Sequence, residues 1–109
     1  MIDPVAAQLE AYNAHDVMAF MANYTDDCIV EDGAGNRQLT GATEMRARYE
    51  ALFAASPTLH AAIVSRIRIG EYVIDEEAIT GRVPDLRRAV AVYHLRGDKI
   101  DHVRFYREA

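Results

Sequence analysis

The sequence predicts an α+β fold, with helices gathered in the first half of the chain and antiparallel strands in the second. Three observations carry this reading. Apolar residues recur at helical spacing through Val5, Leu9 and Tyr12, through Val17, Phe20, Met21 and Tyr24, and through Met45, Tyr49, Leu52 and Phe53. From His60 onward the pattern becomes strand-like, with Ile63, Ile67 and Ile69 alternating with Val64, Arg66 and Arg68. Gly97-Asp98, set between two β-rich runs, is a hairpin signal. Helices grouped ahead of antiparallel strands bury their apolar stripes on one face of a single sheet.

Each element has its own start and stop. Asp3 can cap a helix whose first position is Pro4, where the missing N–H costs nothing. Asn13-Ala14-His15-Asp16 breaks that helix, and Asp16 can cap the next, which Thr25-Asp26-Asp27 ends before a strand at Cys28. Gly33-Ala34-Gly35-Asn36 is turn chemistry. Thr40 or Gly41 opens a third helix, stopped by Ser56-Pro57. Gly70-Glu71 reads as a turn, Tyr72 to Thr80 as a strand closed by Gly81, and the segment around Pro84-Asp85 as a loop. Ala89 to Leu95 and Ile100 to Tyr106 complete the set.

Composition bounds the function. The 109 residues form one domain, 1–109, with room for one modest core. Half are apolar and the charges are mixed in sign, so the chain is globular. A net charge of -5, with no basic cluster, argues against nucleic acid and against an anionic membrane surface as partners. The single Cys28 excludes an internal disulfide and reads as a small core residue. No apolar run is long enough to span a bilayer, and Met1-Ile2-Asp3-Pro4 lacks signal-peptide character, so a cytoplasmic location is expected.

The segment Cys28-Ile29-Val30-Glu31-Asp32-Gly33 carries the first chemical candidate. In a strand, Cys28, Val30 and Asp32 share one face and Ile29 and Glu31 the other. If the first face looks inward, Asp32 is a carboxylate at the end of an apolar row, with a raised pKa suited to general acid–base work. The alternative is a solvated strand end turning into a loop.

Taken together, Asn13-Ala14-His15-Asp16, the run from Tyr24 to Asp32, Thr40-Gly41 and Tyr49 resemble the N-terminal half of the ketosteroid isomerases. More broadly they resemble the nuclear transport factor 2-like superfamily, which includes polyketide cyclases of the SnoaL type. The resemblance runs without gaps from about Gln8 to Phe53, and the late hairpin fits the rest. It implies a cone, in which a strongly curved antiparallel sheet and three helices enclose an apolar pocket for a hydrophobic small molecule. It also implies a convex sheet face that pairs two copies. Asp32 stands where the isomerases keep the general base, and Tyr24 and Tyr49 where some members place tyrosines of a pocket network. Those isomerases set their base beside an oxyanion hole of one Tyr and one protonated Asp. In the same alignment Gln8 and Ala91 occupy the places of these two donors. Losing one such donor costs about 10²–10³ in rate, so steroid isomerase activity is expected to be weak.

The remaining candidates are placed by pattern. Tyr12 follows Gln8 by one helical turn and can face the same pocket, with Phe53, Ala91 and Val103 completing the expected substrate-binding set. Asp75-Glu76-Glu77 lies in an apolar strand pattern, with Glu76 facing away from the other two; a strand end or bulge holding all three in water is the reading adopted. His94 and His102 fall on the opposite sheet face, where a role in a dimer surface with Val90, Val92, Arg104 and Tyr106 is more economical than a metal pair. His15 is read as structural and His60 as a surface or edge residue. No metal and no cofactor are expected, because no ligand spacing recurs and no glycine pattern suits a phosphate. The leading expectation is an enzyme moving a proton on a hydrophobic carbonyl compound with Asp32 as base. A non-catalytic ligand-binding domain and a dimerisation module are the rivals.

Overall fold

The computed structural model describes residues 3–108; Met1 and Ile2, half of the segment judged for signal-peptide character, lie outside it. Helix α1 spans Pro4–Asn13, capped by the Asp3 carboxylate, which accepts the Ala6 N–H at 3.2 Å. Helix α2, Val17–Met21, is capped by Asp16, which accepts from Ala19 N–H at 3.1 Å. Between them His15 adopts a positive φ of 55°, a left-handed conformation that turns the chain sharply. The turn is pinned from both sides. Asn13 both donates to and accepts from the Ala61 backbone, at 3.0 and 2.8 Å, and a ring nitrogen of His15 lies 2.7 Å from the Leu59 carbonyl oxygen. The turn residues therefore fasten the helical layer to the sheet.

The strands are β1 (Tyr24–Asp32), β2 (Arg37–Thr40), β3 (His60–Ile69), β4 (Tyr72–Thr80), β5 (Arg88–Arg96) and β6 (Lys99–Glu108), with helix α3 (Ala42–Ala55) between β2 and β3. They form one six-stranded sheet in the order β2-β1-β6-β5-β4-β3. Three readings change here. Tyr24 belongs to the first position of β1 rather than to the second helix. Strand β2 has a single buried residue, Leu39, which gives no periodicity for a sequence to display. It forms because the turn after Asp32 folds it back onto β1, pairing Val30 with Leu39. The sheet is also mixed rather than wholly antiparallel, since β1 and β6 run parallel, with only β2 beyond them at that edge.

The sheet curves around the helices. Its register breaks between Val30 and Glu31 in the β1–β2 pair, between Ile63 and Ser65 in β3, and between His94 and Leu95 in β5. Each break adds local twist and bends the strand. The concave face carries Val30, Val73, Ala91, Tyr93 and Val103, all buried. Against it the helices press Val5, Phe20, Met45, Tyr49 and Phe53. Phe20 and Tyr49 approach to 4.5 Å between ring centroids, and Tyr12 and Phe53 to 5.5 Å at a near-perpendicular angle, which is favourable aromatic geometry. Among the described residues no helix is long and apolar enough to cross a membrane.

Candidate active site

The helices do not fill the concave face, and a cavity of about 380 Å³ remains between α1, α3 and the sheet. Its floor and walls are Leu9, Tyr12, Phe20, Tyr24, Val30, Leu39, Tyr49, Leu52, Ile79, Leu86, Ala89, Tyr93 and Phe105. A volume of this order suits a small organic molecule, and an apolar lining with few polar groups suits its recognition.

The deep polar groups form a chain. Tyr24 donates its hydroxyl to Gln8 Oε1 at 3.1 Å, and Gln8 Nε2 donates to the Tyr93 hydroxyl oxygen at 3.2 Å and to the Val5 carbonyl at 3.1 Å. Gln8 is fixed because it is buried on the inner stripe of α1, above Tyr93 of β5. Tyr93 accepts from Gln8, while its own hydroxyl proton has no acceptor among the described residues. Burial, with Glu77 next in weight, pushes the Tyr93 hydroxyl well above its ordinary pKa, so it stays a neutral donor. Burial also holds the Tyr12 and Tyr24 hydroxyls neutral and raises that of Tyr49 to about 12.

One carboxylate lines this cavity, and it is Glu77. The alternation of β4 turns Val73, Asp75, Glu77 and Ile79 inward, and all four are buried. The acidic cluster was expected in water; only its outward member, Glu76, answers to that, being half-buried and paired with Arg88 at 2.8 Å. Asp75, fully buried, is neutralised by a two-point pair with Arg66 at 2.6 and 2.9 Å. Glu77 has no such partner among the described residues. Burial first, and the Asp75 charge second, raise its pKa from 4.5 to about 7. The sequence signal was available. Strict alternation from Val73 through Asp75 and Glu77 to Ile79 places both acids on the apolar face, and only the general habit of acids to be exposed argued otherwise.

Asp32 does not occupy the expected place, and this corrects the assignment of the base. Its carboxylate caps the turn after β1, accepting from Ala34 N–H at 3.0 Å, Asn36 N–H at 2.9 Å and the Asn36 side-chain amide at 3.1 Å. Those bonds, led by the Asn36 backbone, hold its pKa below the ordinary Asp value, the reverse of the elevation expected. It is absent from the cavity lining. The physical reason is local: Gly33-Ala34-Gly35-Asn36 offers donors that an ionised Asp satisfies better than an apolar cavity could.

Of the other residues expected to bind substrate, Gln8, Tyr12, Tyr24 and Tyr49 come together in the lining. Phe53, Ala91 and Val103 are buried behind it instead. Phe53 supports the wall by packing on Tyr12 and on the His15 ring, while Ala91 pairs between Asp75 and Phe105 in the sheet. Tyr93, Glu77 and the cavity arginines Arg48, Arg82 and Arg107 were not anticipated. Among the described residues no cluster of three or more His, Cys, Asp or Glu is arranged to hold a metal. His94 instead pairs with Asp101 at 2.5 Å and His102 with Glu31, both on the outer face.

A cone of this kind, with helices closing the concave face of a curved sheet over an apolar cavity, is the nuclear transport factor 2-like scaffold. The SnoaL-like domain family matches residues 5–103, and the chain belongs to it. Solved structures agree. An uncharacterized cystatin-fold protein from Novosphingobium aromaticivorans is 31% identical, with a TM-score of 0.84, 94% of this chain and 93% of that one being covered. A proposed polyketide cyclase from Sinorhizobium meliloti is 19% identical over 96% and 94% of the two chains, with a TM-score of 0.81. A ketosteroid isomerase-like fold from Catenulispora acidiphila, solved with trimethylamine, is 19% identical over 94% and 83%, with a TM-score of 0.78. No curated protein matches the chain.

Proposed function

We propose that this domain binds a hydrophobic carbonyl compound in the cone and moves a proton on it, with Glu77 as the general base and acid. The observation that carries this reading is a buried carboxyl in the cavity lining, without a cation of its own and with a pKa of about 7. Such a group takes and returns protons at neutral pH, where an ordinary Glu is a weak base that is almost fully ionised. Tyr93 is the electrophilic partner. Its proton is uncommitted, and its oxygen is held by Gln8, which Tyr24 holds in turn. A neutral phenol so positioned donates to a developing enolate oxygen. The two donors missing from the isomerase pattern at Gln8 and Ala91 are thus replaced by one hydroxyl, two residues beyond Ala91 on the same face of β5. The neighbours named as a ketosteroid isomerase-like fold and a proposed polyketide cyclase are in keeping with enolate chemistry.

The test is hydrogen–deuterium exchange at the α-carbon of 2-acetonaphthone, a ketone of pocket size, followed by NMR. Glu77→Gln should slow the protein-catalysed exchange about 100-fold or more. Tyr93→Phe should slow it about tenfold or more. Exchange that is equally fast in Glu77→Gln overturns the assignment.

We also propose that two copies pair through the outer sheet face. That face exposes Ile67, Ile69, Tyr72 and Tyr106 beside charges of both signs, including Asp101 and Arg104. Apolar residues mixed with opposite charges let one surface complement itself about a two-fold axis. Sedimentation should give a dimer at micromolar protein, and a monomer alone at that concentration overturns it.

A further inference from the structure

We infer that the natural ligand is a hydrophobic monoanion, a carboxylate held at the cavity mouth by Arg82 and Arg107 while its apolar body lies within. The inference rests on the reading of the cone as a small-molecule site. The chain has 17 acidic and 12 basic side chains, yet the cavity lining holds three arginines and one acid. An acidic protein has thus set positive charge at its apolar, aromatic-rich cavity.

Most arginines outside the cavity are paired, Arg37 and Arg46 being the exceptions among the described residues. Arg66, Arg68, Arg87, Arg88, Arg96 and Arg104 each meet a carboxylate on the protein. The cavity arginines meet none among the described residues. Two exposed acids are turned to other partners, since Asp85 pairs with Arg87 at 3.0 Å and Glu108 reaches Arg88 at 3.5 Å, while Glu77 in the same lining feels the Arg107 charge without pairing with it. Arg82 is held by the backbone instead, donating to the Pro84 carbonyl at 3.1 Å just after Gly81, whose φ is +74°. Arg107 lies over the Phe105 ring, its guanidinium carbon 4.5 Å from the centroid. Both guanidiniums are oriented by contacts that leave N–H donors unspent, and a guanidinium presents a planar fork that matches a carboxylate. Both also act electrostatically on Tyr12 and Tyr49, which ties their charge to the cavity interior.

The chemistry follows. A carboxylate at the mouth orients the molecule and leaves its other end, with the reactive carbonyl, toward Glu77 and Tyr93. Calorimetric titration with 2-naphthoate and with 2-acetonaphthone, near-isosteres that differ in charge, tests this at pH 6 and low salt, where Glu77 is largely protonated. The wild-type protein should bind the carboxylate about tenfold more tightly than the ketone. Arg82→Gln with Arg107→Gln should erase that preference and leave ketone affinity within about twofold, and lysine at both positions should restore part of it. Added salt should weaken only the carboxylate. Equal affinities in the wild type, or a preference that survives the double glutamine variant, overturn the inference while leaving the cavity and its base intact. Binding of neither probe overturns it together with the small-molecule reading. A carboxylate preference accompanied by unchanged exchange in Glu77→Gln supports the inference and removes only the assigned base.

Discussion

Asp75 and Glu77 stand two residues apart on the inner face of β4, and only Asp75 has a cation, Arg66, at 2.6 Å. The same strand thus presents one acid paired with a cation and one that has no such partner among the described residues. Asp75 fills the inner face beside Arg66 of β3, whereas Glu77 opens onto the cavity.

The Glu77 pKa makes stability fall with pH. The group is near 7 when folded and near 4.5 when unfolded, so the native state binds more protons between those values. Its neutral form is accommodated fully below about pH 4.5, and the advantage is lost as pH rises through about 7. The loss for a fully buried group is roughly 3 kcal/mol. Thermal unfolding of the wild type should therefore show a lower Tm at pH 8 than at pH 5, by a margin that Glu77→Gln largely removes. Groups such as His94, whose partner Asp101 raises its pKa, titrate equally in both proteins and cancel in the difference.

Asp75→Asn should cost about 3 kcal/mol in denaturant unfolding, because it leaves the Arg66 guanidinium, only 21% exposed, without its carboxylate. It should also lower the Glu77 pKa by removing a like charge. A pH–rate profile for α-proton exchange whose acidic limb moves down in the variant is the expected signature.

Gln8→Leu should destabilise by about 2–3 kcal/mol, because it strands the Tyr24 hydroxyl without its acceptor and the Tyr93 oxygen without its donor. Gln8→Leu with Tyr24→Phe should be less than additive, since the second change removes a group the first left unsatisfied. Chemical unfolding of the singles and the double checks this.

Asp32→Asn should leave exchange within about twofold of wild type, in contrast to Glu77→Gln. The Asp32 carboxylate binds its own turn, and an amide oxygen still accepts from Ala34 and Asn36. A loss comparable to that of Glu77→Gln would return the base to Asp32.

Gly81→Ala should be severely destabilising, by well over 1 kcal/mol. The residue has a φ of +74°, and an added Cβ would lie 2.3 Å from the Thr58 carbonyl oxygen. The damage should extend to carboxylate binding, because Gly81 precedes Arg82 at the cavity mouth. Tm and 2-naphthoate affinity together read both effects.

The sequence by itself determined what is local. Asp3 and Asp16 cap their helices because a short acceptor before an apolar stripe can satisfy free N–H groups, and Gly97-Asp98 closes its hairpin because the turn needs a positive φ. The inward set of Gln8, Tyr12 and Tyr49 followed from helical spacing and resemblance. Only the tertiary structure decided which acid is buried. Asp32, two residues after Val30, and Glu77, two residues before Ile79, each share a strand face with apolar residues, so alternation treats them alike. Asp32 ends its strand at a turn rich in N–H donors, while Glu77 sits in mid-strand on the cavity wall with no side-chain hydrogen bond among the described residues. Tyr93 and the mouth arginines were equally hidden, because their roles depend on β4, β5 and β6 being brought beside α1 by pairings that separate Gln8 from Tyr93 by 85 residues along the chain. Burial, and with it the pKa that makes a base, is a property of the assembled neighbourhood rather than of the residue.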